Sequence, residues 1–177
     1  MAFVGAPDDR RKGFDTLFKA WLSLCSDATW DANLVVIGSC ADLSSWRART
    51  EACGLANRIL FLGFREAVHQ VLAACSCLAA PTRYEAFGLG VLESLCCGLP
   101  AIVSENAGVA ELYPGALRPL LLPDPDSADD LALRLRLWHS KADHFQAAAV
   151  SFSEELLAYT WDHMAARIVS LMEENRP

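Results

Sequence analysis

The sequence predicts an α/β domain in three layers, built around a doubly wound parallel sheet. Short apolar runs of strand length alternate with longer segments in which apolar residues recur at helical spacing. Because each intervening helix returns the chain to the end of the sheet where the previous strand began, the strands run parallel. The predicted strands are 2–5, 34–37, 59–62, 77–80, 101–103 and 118–122.

Residue types at the ends of the apolar patterns predict where the helices begin and end. Asp42 or Ser44 is a suitable N-cap, Gly54 follows a helix end, and Thr160 caps the last helix. The first predicted helix begins at 13. The second follows the cap at 42 or 44 and ends at 53. The others cover 66–75, 88–97, a short stretch after 106, 128–139, 141–158 and 161–174. With 177 residues, the chain 1–177 is expected to form a single domain.

Composition restricts the class of protein. The net charge of -7 argues against wrapping of nucleic acid. The hydrophobic fraction is 53% and the mean hydropathy is +0.22, above ordinary usage, which favours a domain with one face made for contact. The seven cysteines form no C-x2-C pair, so we expect no metal site. They are interpreted as small buried hydrophobes of a reducing cytoplasm.

Membrane association is expected to be peripheral at most. No signal peptide precedes Ala2, and no uncharged apolar run reaches the ~18 residues of a spanning helix. We therefore expect no transmembrane segment. Contact with a membrane surface stays open, since it needs no spanning segment.

The stretch 83–100 is the central candidate for a functional site, because it joins two predicted strands through a loop and one helix. Leu89, Leu92 and Leu95 recur at helical spacing, which puts the first turn at 87–90. Gly88 and Gly90 remove side chains that would keep a ligand away from unpaired amide groups. A helix start of this kind attracts phosphate through hydrogen bonds and the helix dipole.

Two carboxylates flank this turn. Glu85 precedes the helix, and Glu93 follows eight positions later, in its second turn. Because a carboxylate repels phosphate, both must face neutral donors, and the commonest neutral donors attached to phosphate are sugar hydroxyls. Glu93 suits the vicinal diol of a ribose, and Glu85 suits a second sugar. The ligand class that satisfies these conditions is a nucleotide diphosphate sugar.

A basic turn after the first strand is the third candidate element. Arg10, Arg11 and Lys12 precede Gly13, where the next helix opens. The turn therefore lies at the carboxyl end of a parallel strand, the edge where open α/β sheets bind their ligands. A lysine there can neutralise the charge of a diphosphate.

These motifs, in this order, resemble the retaining glycosyltransferases of family 4, which have the GT-B fold. The string 84–89 with Glu93 resembles the E-x7-E motif of that family, and 3–5 with 11–13 resembles its first strand and basic loop. The segment 34–38 resembles its second strand and turn, and 58–64 its base-contacting segment. The segment 104–112 resembles a turn that usually reads x-x-Gly-Gly-x-x-Glu. The resemblance covers nearly the whole chain.

The resemblance implies a Rossmann-like, nucleotide-sugar-binding domain in which Glu85 and Lys12 are catalytic. Lys12 would contact the diphosphate, and Glu85 would meet the donor sugar. The other donor-binding residues that it implies are Gly5, Arg11, Gly38, Arg58, Ile59, Phe87, Gly88, Leu89, Gly90, Glu93, Asn106, Gly108 and Glu111. It implies no metal and no cofactor beyond the nucleotide sugar. It assigns the acceptor to an amino-terminal GT-B domain that these residues do not contain.

The chain departs from the family pattern, which leaves other functions open. The family usually carries an arginine six positions before the lysine, where this chain has Ala6, and Ala107 stands where the usual glycine pair would have a second glycine. A non-catalytic nucleotide-sugar-binding or interaction domain and a GT-B sugar-nucleotide epimerase or phosphorylase therefore remain alternatives. The string 88–93 also imitates G-x-G-x-x-G. Its third glycine is Glu93 and it falls late in the chain, which disfavours a dehydrogenase.

Overall fold

The computed structural model describes residues 1–174, which form an α/β domain. Its strands are β1 (Ala2–Val4), β2 (Leu34–Ile37), β3 (Ile59–Gly63), β4 (Leu78–Ala80), β5 (Ala101–Ser104) and β6 (Leu121–Leu122). Its helices are α1 (Phe14–Cys25), α2 (Leu43–Ala52), α3 (Val68–Leu72), α4 (Leu89–Cys96), α5 (Ala128–Ser140), α6 (Ala142–Leu157) and α7 (Trp161–Glu174). Short 3-10 turns lie at Arg10–Lys12, Gly108–Leu112 and Arg118–Leu120.

The strands form one parallel sheet in the order β3-β2-β1-β4-β5-β6. The chain builds outward from β1 to β3, then returns to place β4 on the other side of β1. Because parallel connections are right-handed, the helices before and after this return cover opposite faces of the sheet. The strand order reverses between β1 and β4, so the switch point lies at their carboxyl ends.

Two groups of helices enclose the sheet. On one face, α1 contacts α5 and, through the ring of Phe14, Trp46 of α2, with ring centroids 4.8 Å apart. On the other face, α4 contacts α3 and α6. Phe3, Phe14 and Trp21 are buried almost completely, which places the centre of the core between β1 and α1. The predicted three-layer, doubly wound fold is confirmed.

The predicted caps agree with the structure. The Asp42 carboxylate accepts a hydrogen bond from the amide of Ser45 at 3.3 Å, at the start of α2. The Thr160 hydroxyl accepts one from the amide of His163 at 3.2 Å, at the start of α7. In both cases a short polar side chain satisfies an amide that has no partner within its own helix.

Two segments differ from the prediction. Residues 118–122 are not one strand: a 3-10 turn precedes a two-residue β6, because Pro119 has no amide to donate to a ladder. The helix predicted over 66–75 is restricted to Val68–Leu72. Residues 74 and 75 donate to carbonyls three positions earlier, so the segment ends in tighter turns.

The cysteines are not the buried hydrophobes that the sequence suggested. All seven are free; Cys77 is buried, Cys53 and Cys97 are exposed, and the other four are half-buried. Cys53 and Cys97 are the C-cap residues of α2 and α4, where a helix pattern ends and its side chains reach solvent. Burial raises the pKa of the Cys77 thiol to about 12, so it stays protonated.

The helix α7 has no buried residue. Trp161, Ile168 and Met172 are at least half exposed, so this helix presents apolar side chains to solvent. None of the described helices has both the length and the apolar character needed to cross a bilayer.

Gly13 joins the Arg10–Lys12 turn to α1, and its conformation requires glycine. Its φ is +69°, in the left-handed region that side chains rarely adopt. A Cβ at this position would also overlap the carbonyl oxygen of Pro81, just beyond β4. The basic turn can therefore dock on the end of β4 because residue 13 has no side chain.

We predict that Gly13→Ala lowers the free energy of unfolding by about 2–4 kcal/mol, since it adds both backbone strain and a steric overlap. Urea denaturation measures the change. Gly115→Ala is the matched control, because a Cβ there would meet no atom within 4 Å. The control should change stability by less than about 1 kcal/mol. Equal losses in the two variants would contradict the prediction.

Candidate functional site

A pocket of about 260 Å³ lies at the carboxyl ends of β1 and β4, where the strand order reverses. The residues that line it are Phe3, Val4, Gly5, Lys12, Leu78, Ala80, Thr82, Glu85, Gly88, Gly90 and Val91. The structure thus brings together five predicted site residues, Gly5, Lys12, Glu85, Gly88 and Gly90. They come from the turn after β1 and from the loop and helix after β4.

The start of α4 contributes amide groups to this pocket. Among residues 1–174, the amides of Gly88, Leu89 and Gly90 donate no hydrogen bond to protein; the amide of Val91 donates to the Gly88 carbonyl at 3.0 Å. Gly88 has a φ of +108°, and a Cβ there would press on Val109 at 3.0 Å. A Cβ at Gly90 would meet no atom within 4 Å. Gly88 therefore shapes the turn, and Gly90 leaves open space beside the free amides.

Lys12 and Glu85 form an ion pair across the pocket. The Lys12 ammonium lies 2.7 Å from a Glu85 carboxylate oxygen, although the residues are 73 positions apart. The two side chains are 36% and 26% exposed, so the pair is partly shielded from water. Gly5 lies under the lysine stem, since a Cβ there would approach Lys12 Cγ to 3.2 Å. The cation and the carboxylate predicted to act on one ligand therefore lie side by side.

Arg11 is not among the residues that line the pocket. Its guanidinium donates to both carboxylate oxygens of Asp9, at 3.0 and 2.8 Å, and its side chain is 69% exposed. Hydrogen bonding from Arg11 lowers the pKa of Asp9, so Asp9 stays ionised as its partner. The backbone of Arg11 has a different function, because its carbonyl accepts from the Arg83 amide at 2.7 Å and the Thr82 hydroxyl at 2.9 Å.

The turn at 106–108 supports the loop that carries Glu85. The Asn106 side-chain amide donates to the Arg83 carbonyl at 3.3 Å, and the amide of Val109 donates to the Phe87 carbonyl at 2.7 Å. The Gly108 amide donates to the Glu85 carbonyl at 3.4 Å, and a Cβ at Gly108 would overlap the Ala86 carbonyl oxygen. Asn106 and Gly108, predicted as ligand contacts, thus donate hydrogen bonds to backbone carbonyls of the loop that carries Glu85.

Arg83 links three segments around the pocket. Its guanidinium donates to both carboxylate oxygens of Asp15 in α1, at 2.8 and 2.9 Å, and to Asp126 at 2.6 Å. It also donates to the Arg10 carbonyl at 2.6 Å and the Thr16 hydroxyl at 3.1 Å. These contacts use all five N–H donors of an arginine side chain. Arg83 therefore fixes the basic turn against the loop that leads to Glu85.

Electrostatics reinforce this network. Hydrogen bonding from Arg83 lowers the pKa of Asp15, and hydrogen bonding to Asp15 raises the pKa of Arg83. Sequence reasoning gave Arg83 no role, because its partners Asp15 and Asp126 are 68 and 43 residues away. The available signal was an arginine directly after an apolar strand, in the same loop as Glu85.

Arg58 and Ile59 lie at the amino-terminal ends of the strands, on the side of the sheet away from the pocket. Both stand at the amino end of β3, whereas the pocket lies beyond the carboxyl ends of the strands. The Arg58 side chain donates to the carbonyls of Trp30 and Ala32, at 2.7 and 2.8 Å. The segment that begins at Arg58 is thus a strand whose preceding residue is hydrogen-bonded to the loop before β2. Of the segment 58–64, only its carboxyl end reaches the pocket side of the sheet.

The remaining predicted contacts lie around the pocket but are exposed. Glu93 shares a helix face with Leu89 and Gly90, one turn beyond the free amides, and all three are exposed. Glu111 is exposed in the Gly108–Leu112 turn. Their contact with a ligand stays a prediction.

Phe87 and Gly38 have packing positions of their own. Phe87 is 40% exposed and lines apolar cavities beside α7. A Cβ at Gly38 would overlap the Gly5 carbonyl, so this glycine lets the turns after β1 and β2 pack together. No group of three His, Cys, Asp or Glu side chains in residues 1–174 is arranged to hold a metal ion.

A doubly wound parallel sheet with a lysine, a carboxylate and free helix amides at its switch point defines a ligand-binding domain of the α/β class. Residues 1–149 match the family model described as glycosyl transferases group 1. The chain therefore belongs to that family, and its resemblance to GT-B glycosyltransferases is confirmed.

Curated relatives support this assignment. The chain is 40% identical over 104 residues to a GDP-mannose-dependent alpha-(1-6)-phosphatidylinositol dimannoside mannosyltransferase of Mycobacterium tuberculosis, a match that covers 57% of this chain and 26% of the relative. It is 28% identical over 152 residues to a D-inositol 3-phosphate glycosyltransferase of Jonesia denitrificans, covering 81% of this chain and 35% of the relative. The chain thus spans a minor part of each relative's length.

Solved structures show the same fold. HepE from Anabaena in complex with UDP superposes with a TM-score of 0.79 at 19% identity, covering 98% of this chain and 48% of HepE. The C-terminal domain of the group 1 glycosyl transferase LpcC from Francisella tularensis superposes with a TM-score of 0.74 at 20% identity. That match covers 90% of this chain and 85% of the LpcC domain.

We predict that Arg83→Lys lowers the free energy of unfolding by about 1–3 kcal/mol, because three ammonium donors cannot replace a planar group with five. The wild-type advantage should shrink in acid. Since Arg83 lowers the pKa of Asp15, the stabilisation is present above the ordinary aspartate pKa and is lost as the pH falls through the lowered value. Urea denaturation at several pH values measures both effects.

Arg136→Lys is the matched control for Arg83. Arg136 donates to Asp27 at 2.8 Å from a side chain that is 44% exposed. This substitution should change stability by less than about 0.5 kcal/mol. Equal losses of stability in the two lysine variants would show that the five hydrogen bonds of Arg83 stabilise the fold no more than an ordinary surface ion pair.

Proposed function

We propose that this chain is the donor-binding domain of a retaining glycosyltransferase and that its pocket takes a nucleotide diphosphate sugar. The observation that carries the proposal is the convergence of Lys12, Glu85 and the free amides of Gly88–Gly90 on one pocket at the switch point. Family membership supports glycosyl transfer as the reaction class. Solved neighbours in complex with UDP support a nucleotide ligand.

Charge and amide groups would hold the diphosphate. The amides of Gly88, Leu89 and Gly90 give three donors, and Gly90 leaves room for the ligand to approach them. Lys12 would add a compact cation with three donors. During transfer the departing nucleotide diphosphate gains negative charge, so these groups would act most strongly in the transition state.

The carboxylates would orient the sugar rings. Glu85 lies beside Lys12 and would accept hydrogen bonds from hydroxyls of the donor sugar. Glu93, one turn farther along α4, would accept from the ribose diol. Retention at the anomeric carbon and independence from a metal ion are part of this proposal, as the resemblance to family 4 implies.

The acceptor would bind to a second domain. The matched parts, 57% and 81% of this chain, cover 26% and 35% of two curated relatives, and 98% of the chain covers 48% of HepE. Because only part of the chain is matched in each curated relative, these proportions fit a chain that corresponds to somewhat less than half of a two-domain GT-B enzyme. By this proposal the 177 residues bind the donor and transfer sugar poorly or not at all without the other half.

A second candidate is a non-catalytic binding domain that retains the fold. Two observations favour it: Ala6 stands where the family usually has an arginine, and of the two possible substitutes, Arg10 and Arg11, the Arg11 guanidinium is engaged by Asp9. The intact Lys12 and Glu85 in the pocket favour the catalytic reading. An assay for sugar transfer by the two-domain protein separates the candidates.

Calorimetric titration with UDP, GDP and ADP tests the site. We predict that one of them binds, and that Lys12→Met weakens it about tenfold or more, because a hydrogen bond to a charged group contributes roughly 1.5–3 kcal/mol. Lys19→Met is the control, since Lys19 is exposed on α1 and does not line the pocket. If Lys12→Met and Lys19→Met gave equal affinities, the diphosphate would not sit at Lys12.

Ala6→Arg tests the effect of the departure from the family pattern. We predict that it tightens binding of the same diphosphate about tenfold, because it adds a second cation at the carboxyl end of β1. Ala6→Gln adds a shorter polar side chain without charge and serves as control. A gain in both variants, or in neither, would show that the missing charge at this position does not limit affinity.

A further inference from the structure

We propose that the Lys12–Glu85 ion pair makes this pocket select a sugar-linked diphosphate over a free nucleoside diphosphate. The inference rests on the proposed function. It assigns Glu85 a second role, in which its carboxylate competes with the phosphate of the ligand for the Lys12 ammonium. It concerns the specificity of the pocket and the release of the product.

The two side chains engage each other directly. They lie 2.7 Å apart in the pocket, and among residues 1–174 neither has a second hydrogen-bond partner. Their backbones are fixed: the Arg83 amide and the Thr82 hydroxyl hold the Arg11 carbonyl, and Gly108 holds the Glu85 carbonyl. The two backbones therefore stay in place, while the flexible lysine stem lets the ammonium change partners within the pocket.

A phosphate that binds Lys12 must consequently approach Glu85. Like charges at such a distance repel, and the partly shielded position of the pair weakens the screening by water. Binding of the phosphate also removes the ammonium, wholly or in part, from the carboxylate. A free diphosphate thus costs the pocket one favourable pair and adds one repulsion.

A sugar on the diphosphate reverses this balance. Esterification lowers the charge of the terminal phosphate and places neutral hydroxyl donors beside it. Glu85 can accept hydrogen bonds from these hydroxyls in place of the ammonium, so neither the carboxylate nor the lysine is left without a partner. The ion pair is exchanged for two ligand contacts.

The same exchange bears on the end of a reaction cycle. When the sugar leaves, the product diphosphate gains charge and faces a carboxylate without its hydroxyl partners. Re-formation of the Lys12–Glu85 pair then competes with the product. A partly exposed ion pair is weak enough to be exchanged in both directions.

Glu85→Gln tests this inference, because glutamine keeps the size and the acceptor oxygen of glutamate and removes its charge. Calorimetry compares each nucleoside diphosphate with its sugar-linked form: UDP with UDP-glucose, GDP with GDP-mannose, and ADP with ADP-glucose. For the pair that the wild type binds, the variant should bind the free diphosphate about two- to fivefold more tightly. It should bind the sugar-linked form about tenfold more weakly, through loss of charge-assisted hydrogen bonds. The gain for the free diphosphate should decline as salt is added.

Glu154→Gln is the matched control. Glu154 is exposed on α6 and does not line the pocket, so its loss removes the same charge without touching the pair. Both affinities of this variant should equal those of the wild type. Circular dichroism and urea denaturation establish that each variant is folded before titration.

The outcomes separate the inference from the function beneath it. If Glu85→Gln left the free diphosphate affinity unchanged, or weakened both ligands equally, the competition would be refuted while donor binding stood. If the wild type bound none of these nucleotides, the proposed function and this inference would both fail.

Discussion

The docking of the basic turn onto the end of β4 is the constraint on which the site depends. The Arg11 carbonyl accepts from the Arg83 amide and the Thr82 hydroxyl, Arg83 reaches the Arg10 carbonyl, and Gly13 packs against Pro81. Segments some 70 residues apart are thus joined mainly through backbone groups. Lys12 and Glu85 meet because each lies one or two residues from this junction. Their ion pair is a consequence of the docking, since a partly exposed pair contributes little to stability.

Much of this arrangement follows from local patterns in the sequence. The six-stranded sheet was readable because a parallel sheet buried on both faces leaves apolar runs, and the turn at Gly88 because glycine is required where φ is +108°. Partners far apart in sequence were not readable: no local spacing joins Arg83 to Asp15 or Asp126. Arg58 is a different case: the motif located its strand, but the strand direction puts Arg58 at the end of the sheet opposite the pocket, and its contact with a ligand stays a prediction.

The charges around the pocket are largely compensated. Lys12 is paired with Glu85, Arg11 with Asp9, and Arg83 with Asp15 and Asp126. Arg10 is exposed and has no ion pair among residues 1–174, so the proposed attraction for an anion would come from Arg10, from the free amides at the start of α4 and from exchange of the Lys12 pair. Arg83 thus maintains the geometry, and residue 6, where the resembled family usually has an arginine, carries no charge.

Phe87 connects this chemistry to the apolar surface of α7. Its backbone carbonyl is held by Val109 in the loop that carries Glu85, and its ring lines a cavity of about 780 Å³ together with Trp161, Met164 and Ile168. A partner that packs on that surface would therefore contact Phe87, two positions from Glu85. In the proposed two-domain enzyme, burial of the α7 face would restrict Phe87, and with it the loop at the mouth of the donor pocket. In that proposed enzyme, one partner domain would cover the apolar side chains of α7 and reach the donor pocket through Phe87.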